Sequence, residues 1–277
     1  MIDLHCHSYV SDGALSPSEV VQLAAQNGCQ MLALTDHDNT DGLNEAHQAA
    51  ERCGIRLIDG VEISVTWRSR TIHIVGLDIE KNNETLQKLL QNVRTGRVAR
   101  LQKIADKLNK LGINGAFDGA MARVRNPEMV SRTHLADFLV ENGWARNKQQ
   151  AFKKFLGEGK AAYVAHEWAN LADAIQAIIA ANGLAVIAHP MRYQLSATAR
   201  RNLFSEFKTL GGIGMEVHSG HSSWGDCLNY TQLANQFGLL ASCGSDFHRL
   251  NDFSGGMVGK CPSLPENAQV IWTQFRS

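Results

Sequence analysis

The sequence predicts an α/β fold in which about seven strands alternate with helices along the chain. Three observations indicate it: short apolar runs of strand length, helix start and stop signals between them, and a length of 277 residues, which an α/β barrel commonly takes as one unit. Such alternation is typical of a parallel barrel or an open parallel sheet. Hydrophobic residues make up 44% of the chain and charged residues 19%, which indicates neither a disordered nor a membrane-embedded protein.

The first part of the chain contains four predicted strands and two predicted helices. The run Ser16-Pro17-Ser18-Glu19 predicts a helix start, with Ser16 as N-cap, Pro17 at the first helical position and Glu19 closing a capping box. This helix ends near Gly28, and a second runs from about residue 42 to 54. After the strand at the N-terminus, further strands are predicted at 31–35, 55–63 and 71–75. The last two are candidates for a hairpin across residues 68–70.

A helical stretch at 83–159 then interrupts the alternation. Beyond it, strands are predicted at 184–190, 213–218 and 239–248, with helices near 171–182, 196–210 and 226–237. We therefore predict two domains. Residues 1–82 and 161–277 form the main α/β domain, and residues 83–160 form a small helical domain inserted between the fourth and fifth strands.

The formal net charge of zero conceals an uneven distribution. Residues 94–160 contain 14 Lys and Arg against 6 Asp and Glu, and the remainder of the chain carries the opposite excess. A basic segment beside an acidic, histidine-rich remainder favours a polyanionic substrate, although a solvated helical face would have the same composition.

The first residues of the chain carry the strongest chemical signal. Side chains in a strand alternate between its two faces, so His5 and His7 point the same way and Cys6 points opposite. A turn through residues 11–13 could bring the Asp12 carboxylate over the two imidazoles. Nitrogen and oxygen ligands of this kind suit a borderline divalent metal, although two histidines at a strand end carry little weight alone.

The signal becomes specific because similar residues recur at or near the carboxyl ends of the predicted strands, the edge where parallel α/β folds carry their chemistry. The candidate ligands are His5, His7, Asp12, His37, Glu62, His73, His189, Asp246 and His248, with Asp36 and Asp38 as candidates for orienting the histidine ligands.

These residues carry a family resemblance that extends over essentially the whole chain. The motifs are His5-x-His7, Thr35-Asp36-His37-Asp38, Gly60-Val61-Glu62, His73, Ala188-His189-Pro190 and Ser245-Asp246-x-His248. In this order they resemble the polymerase-and-histidinol-phosphatase (PHP) superfamily of metal-dependent phosphoesterases. The resemblance implies a distorted, TIM-like barrel of seven strands and helices. It is closest to the bacterial branch with a helical insertion, which contains 3′,5′-nucleoside bisphosphate phosphatases and 5′→3′ exoribonucleases acting on short RNA.

Carried over residue by residue, the resemblance implies two to three divalent transition-metal ions. Manganese is the first choice, and zinc or iron would suit the same mixed ligands. The implied sets are His5, His7, Glu62 and Asp246 for one ion, Glu62, His73 and His189 for a second, and Asp12, His37 and His248 for a third. The metals would activate water for attack on phosphorus, so no protein nucleophile is required.

Residues outside the ligand sets are candidates for handling the substrate. His218, near the end of a strand, could contact phosphate or protonate the leaving group, or be a hydrogen-bonded histidine at the rim, and Glu216 could support a ligand. In the basic segment, Arg97 and Arg100 lie three apart on a predicted helix and could clamp a second phosphate. The resemblance places Arg132 and His134 in the same pocket.

The predicted function is hydrolysis of phosphate from nucleotides such as 3′,5′-nucleoside bisphosphates, with exonuclease action on short RNA as an extension. The alternatives are a histidinol-phosphate phosphatase, which would call for an acidic pocket, and a non-catalytic metal-binding accessory module, which would have lost ligands. We expect a small phosphorylated substrate and no obligate protein partner. With no membrane span, no export signal and six scattered cysteines, the chain is expected to be soluble and cytoplasmic, with its thiols reduced.

Overall fold

A computed structural model describes residues 1–165, 168–250 and 255–276 and divides the chain into two compact units. Unit 1 comprises Met1–Leu90 and Ala169–Ser277, and unit 2 comprises Gln91–Trp168. These limits lie further along the chain than the predicted 83–160 at both ends. Within the described ranges, no helix is long and apolar enough to span a bilayer.

Unit 1 is built on a mixed sheet of eight strands that is nearly closed into a barrel. In chain order they are β1 (Ile2–Asp3), β2 (Met31–Leu34), β3 (Arg56–Trp67), β4 (Arg70–Leu77), β5 (Ala169–Asn170), β6 (Leu184–Ile187), β7 (Gly214–Ser219) and β8 (Leu240–Gly244). The pairing order is β1-β2-β3-β4-β6-β7-β8, with β5 pairing β3. The two ends of this order meet just after β1, where the Leu4 amide donates to the Cys243 carbonyl of β8 at 2.9 Å. The predicted distorted barrel is confirmed.

The sheet differs from an all-parallel barrel at β4, which runs antiparallel to both β3 and β6. A two-residue turn joins β3 to β4, which is too short for the crossover that a parallel pair requires. Arg68 and Ser69 both have positive φ, 45° and 63°, as expected of a tight primed hairpin turn. The hairpin considered from the sequence is therefore present.

Helices cover the barrel on the outside. Those of unit 1 are α1 (Pro17–Gln26), α2 (Leu43–Cys53), the start of α3 (Glu84–Lys110), α7 (Leu171–Ala180), α8 (Ala197–Thr209) and α9 (Trp224–Phe237). The capping box predicted at the first helix is present: Ser16 accepts from the Glu19 amide, and the Glu19 carboxylate accepts from the Ser16 amide. Its two reciprocal hydrogen bonds satisfy amides that the first helical turn leaves unpaired.

The strands separate an inner core from an outer one. On β6, Val186 packs with Leu4 and Ala33 in the barrel interior, while Ala185 and Ile187 pack with the helices outside. This alternation is the one expected where each strand has a face toward each layer.

Unit 2 is helical and has its own core, centred on Leu101, Leu108, Leu135 and Leu139. It contains the remainder of α3, α4 (Ala116–Met121), α5 (Arg132–Glu141), α6 (Lys148–Ala151) and a π-helical turn at Phe152–Leu156. The helical character predicted for this stretch is present. A role for it as a substrate-recognition domain stays a prediction.

Candidate metal centre

Two histidines of the N-terminal segment meet inside the rim of the barrel. β1 ends at Asp3, but Cys6 still bridges Phe247 in extended conformation, so His5 and His7 share a face as predicted. Their Nε2 atoms lie 3.1 Å apart, and both residues are fully buried. Gly244 permits this packing, because a Cβ at that position would lie 2.2 Å from the His5 Cβ.

A carboxylate from each side of the barrel faces this pair. Glu62 Oε2 lies 3.2 Å from both His5 Nε2 and His7 Nε2, and Asp246 Oδ1 lies 3.1 Å from His7 Nε2. The ligand atoms of His5, His7, Glu62 and Asp246 are all within 4.8 Å of one another. Two imidazoles and two carboxylates at this spacing suit one divalent transition metal.

A second group surrounds Glu62. Its Oε1 lies 2.8 Å from His73 Nδ1 and 3.0 Å from His189 Nε2, and its Oε2 lies 2.9 Å from His37 Nδ1. The set in which all ligand atoms come within 4.8 Å of each other contains His37, Glu62 and His73. His189, which the resemblance assigns to this ion, is not in that set but contacts both Glu62 and the His73 ring, whose centre lies 5.3 Å from its own.

A third group lies at the outer edge of the centre. Asp12 Oδ1 is 3.2 Å from His248 Nε2 and 3.8 Å from His37 Nε2, and His7 joins the same set. All nine candidate ligands therefore lie in one continuous cluster.

His73 reaches this cluster differently from the prediction, which placed it near the carboxyl end of a strand. It is the fourth residue of β4, and β4 is antiparallel to its neighbours. Its pairing with Ser64, two residues beyond Glu62 on β3, brings the imidazole beside the Glu62 carboxylate.

Several buried polar atoms of the cluster form no well-aligned hydrogen bond among the described residues, although some lie within ion-pair distance of another candidate ligand. They are His7 Nδ1, Asp12 Oδ1, His37 Nδ1, Glu62 Oε2 and His189 Nδ1. Buried polar atoms are normally satisfied, and their lone pairs are suited to metal ions. The residues present therefore fit the metals that the resemblance implies.

The electrostatics favour ionised carboxylates. Burial alone would raise the pKa of Glu62, but the imidazoles of His37, His5 and His73 hold it well below its ordinary value. Burial opposes ionisation of Asp246 in the same way, yet His5 and His248 hold its pKa well below the usual range. The centre thus presents fixed negative charge from buried oxygens.

Glu216 fixes the orientation of His5, as considered from the sequence. His5 Nδ1 donates to Glu216 Oε1 at 2.6 Å, which leaves the Nε2 lone pair facing the cluster. The other carboxylate oxygen accepts from the His189 backbone amide at 2.6 Å. One buried carboxylate therefore holds both His5 and the backbone of His189, which has a strained φ of 29°.

Asp36 and Asp38 make contacts other than those expected. Asp36 accepts from the Ser8 amide and from the hydroxyls of Ser8 and Ser11, so it fastens the loop that carries Asp12 instead of bonding to a histidine ring. Asp38 accepts from the amide and hydroxyl of Ser64 on β3.

Arg192 was not predicted from the sequence as a residue of the site. Its guanidinium donates to the second carboxylate oxygen of Asp246, and its side chain is about one-third exposed at the rim. Arg192 lies in the short turn after His189, so the signal available was a cation directly following a strand that ends in a candidate ligand.

His218 does not join the ligand groups. It hydrogen-bonds Ser222 through Nδ1 at 3.1 Å and lines a separate cavity. Burial lowers the pKa of this imidazole, which favours its neutral form. Its catalytic role stays a prediction.

The four candidate substrate residues lie in unit 2. Arg97 is buried with its Cζ 4.8 Å from the Trp168 ring centre, and Arg100 donates through Nε and Nη2 to the Val164 carbonyl. Arg132 donates to the Leu156 carbonyl. His134 accepts from the Ser131 amide at the start of α5, so this imidazole has a capping contact.

Comparisons with known proteins agree with this geometry. Residues 3–186 match the family model of the PHP domain. A Chromobacterium violaceum protein named 3′,5′-nucleoside bisphosphate phosphatase is 46% identical over 276 residues, covering 100% of this chain and 96% of its own. A Haemophilus influenzae protein named 5′-3′ exoribonuclease is 44% identical over 275 residues, covering 99% and 98%.

Two solved structures are similar over nearly the whole chain. The structure of an amidohydrolase from Chromobacterium violaceum, with bound sulfate and no metal, has a TM-score of 0.93 at 46% identity and covers 99% of this chain and 95% of its own. A candidate metal-dependent phosphoesterase from Bifidobacterium adolescentis has a TM-score of 0.79 at 27% identity, with 99% and 93% covered.

The chain belongs to the PHP family. It is a metal-dependent hydrolase that acts on phosphoester bonds.

Proposed function

We propose that this enzyme removes phosphate from 3′,5′-nucleoside bisphosphates and also degrades short 5′-phosphorylated RNA from the 5′ end. The observation that carries the proposal is the buried cluster of His5, His7, Glu62 and Asp246 within mutual ligand distance. Full-length relatives at 46% and 44% identity, named for these two activities, support the choice of substrate class. The two activities share one requirement, a phosphoester of a nucleotide held at a metal centre.

The proposed ligand sets keep every candidate residue. His5, His7, Glu62 and Asp246 would hold one ion, and Asp12, His37 and His248 a second. Glu62, His73 and His189 would hold a third. Manganese is the proposed metal, since mixed imidazole and carboxylate ligands suit it. When bound, the ions would supply an activated water and offset the charge on the phosphoryl oxygens.

The chain's own residues would keep this centre in order. Glu216 holds His5 with its Nε2 facing the cluster, and Asp36 fastens the loop that carries Asp12. Arg192 fixes one oxygen of Asp246 and leaves the other toward His7. Three fixed contacts of this kind limit rotation of the ligands before any substrate arrives.

The arginines of unit 2 support recognition of a second phosphate. Burial, together with the neighbouring charges of Arg132 and Arg97, lowers the pKa of Arg100 to about 10. Arg97 and Arg100 both lie against the face of Trp168, within 5.5 Å of its ring centre. Three partly buried cations packed on aromatic rings and carbonyls repel one another, so an anion bound there would relieve the repulsion. A phosphate that is not hydrolysed is the anion we propose.

The test is a substrate panel with metal-loaded protein. It comprises a 3′,5′-bisphosphate, a mononucleotide, p-nitrophenyl phosphate, histidinol phosphate and short 5′-phosphorylated RNA. We expect the bisphosphate and the RNA to have the highest kcat/KM. No release of phosphate or nucleotide from any nucleotide substrate would overturn the proposed function, and preference for histidinol phosphate would favour the alternative considered from the sequence.

The arginine role is tested by Arg97→Ala, with Arg146→Ala on the same unit as control. Loss of a charge-assisted hydrogen bond should reduce kcat/KM for the bisphosphate about ten- to a hundredfold, while p-nitrophenyl phosphate changes little and metal content stays constant. Equal losses for both substrates would show that Arg97 does not recognise a second phosphate.

A further inference from the structure

A cavity of about 390 Å³ opens in unit 1 beside the metal centre, between the loops that follow β7 and β8. Its walls include His218, His221 and Ser222 from the first loop and Ser245, Lys260 and Cys261 from the second. None of the candidate metal ligands lines it.

The geometry of β7 explains why His218 faces this cavity. In a regular strand, His218 would share a face with Glu216, two residues earlier. The register shifts between them, since Glu216 pairs with Ser242 while His218 already pairs with Cys243. The extra residue is a β-bulge, which re-aims the end of the strand. Glu216 therefore binds His5, while His218 turns away from the ligand groups to Ser222.

The lining has the chemistry of an anion site. It offers the Lys260 ammonium and the imidazoles of His218 and His221, and its described residues include no carboxylate. Within the described ranges, the exposed Lys260 ammonium forms no hydrogen bond or ion pair, so its charge is available to a ligand. Glu216, whose charge acts on His218, has both oxygens occupied by His5 and His189. A phosphate group, with several negatively charged acceptor oxygens, matches this set of donors.

The cavity and the metal centre share a wall. Ser245 lines the cavity and immediately precedes Asp246, and its hydroxyl donates to the His5 carbonyl at 3.3 Å. A phosphoryl group in the cavity would thus lie beside Ser245, the residue next to the candidate ligand Asp246.

We propose that this cavity is a phosphate subsite distinct from the metal centre. It takes either a phosphate further along a short RNA substrate or free inorganic phosphate. The first source rests on the proposed nucleotide hydrolase function, and the second does not.

The experiment measures binding of inorganic phosphate to the metal-loaded full-length protein by calorimetry. The double variant Lys260→Gln with His221→Asn is compared with the wild type and with Lys88→Gln, which removes an exposed lysine elsewhere on unit 1. Both cavity residues are exposed, so the fold should be retained, and Tm checks this. We expect the cavity variant to lose one class of phosphate sites or to weaken it about tenfold, with metal content unchanged. Lys88→Gln should bind phosphate as the wild type does.

Kinetics then distinguish the two sources. If the substrate supplies the phosphate, KM for short 5′-phosphorylated RNA rises about tenfold in the cavity variant and KM for p-nitrophenyl phosphate does not change. If free phosphate is the ligand, both KM values stay constant and the inhibition by added phosphate weakens. Unchanged phosphate binding, or loss of metal in the cavity variant, would overturn the subsite. Because the binding arm needs no turnover, it remains informative even if nucleotides are not the substrates.

Discussion

Substituting Glu216 by Gln tests whether a residue that binds no metal sets the affinity of the centre. Glu216 is 1% exposed, and its two oxygens accept hydrogen bonds of 2.6 Å from His5 Nδ1 and from the His189 amide. Gln has the same shape but only one acceptor oxygen, so one of the two donors must face an amide N–H₂ group. The lost charge-assisted bond should cost about 1.5–3 kcal/mol.

Part of that free energy should appear as weaker metal binding, because His5 would lose the contact that fixes its tautomer and ring orientation. We expect metal affinity to fall about ten- to a hundredfold, as is typical for partners of metal-bound histidines. The assay titrates manganese into the metal-stripped variant and follows both binding and recovery of activity. Excess metal should restore most of kcat.

The matched control is Glu206→Gln on α8. Glu206 also accepts a hydrogen bond from a ring nitrogen, that of Trp67 at 2.9 Å, but it contacts no candidate ligand. Its metal affinity should equal that of the wild type. Two results would show that Glu216 does not orient His5 for metal binding. One is normal metal binding by Glu216→Gln, and the other is a loss of activity that high metal concentration does not restore.

Two further predictions concern the centre itself. His7→Ala should lose at least one metal ion per chain and nearly all activity, because the His7 imidazole belongs to two of the three ligand groups. Elemental analysis and kcat measure the two losses. Full activity of chelator-treated protein would contradict the metal-dependent mechanism. Arg192→Ala should retain its metal but lower kcat/KM about tenfold or more, with Arg192→Lys recovering only part, because a lysine cannot reproduce the planar guanidinium contact with Asp246. A fully active Arg192→Ala enzyme would show that the contact of Arg192 with Asp246 is not needed for activity.

The sequence predicted the features that are determined by residues close together in the chain. The capping box at Ser16 and Glu19 lies within four residues, and its hydrogen bonds follow from the identity of the side chains. Convergence of the candidate ligands was also predictable, because strands of a barrel end at a common rim and His5, His37 and His189 each follow or extend a strand.

Features that depend on long-range pairing were not predictable. Arg192 and Asp246 are 54 residues apart, and nothing local to either residue indicates their contact. Glu216 and His218 point in different directions because of a bulge that arises from the pairing of β7 with β8. The alternation of side chains along a regular strand had predicted that both residues share one face. In unit 2, the rings that hold Arg97 and Arg132 come from distant positions, Trp168 and Phe152. The three-residue spacing of Arg97 and Arg100 therefore predicted that they share a face of the helix, but not that their side chains are at least partly buried.

The hairpin of β3 and β4 makes the centre sensitive to chain length at a distance. Glu62 and His73 belong to one antiparallel ladder, and its register is set by a turn of two residues, Arg68 and Ser69. Inserting one residue that the ladder absorbs would rotate His73 to the opposite face of the sheet, whereas inserting two could preserve its direction. Loop tips usually tolerate insertions. Here an insertion that the ladder absorbs would keep the imidazole facing Glu62 only if it has an even number of residues.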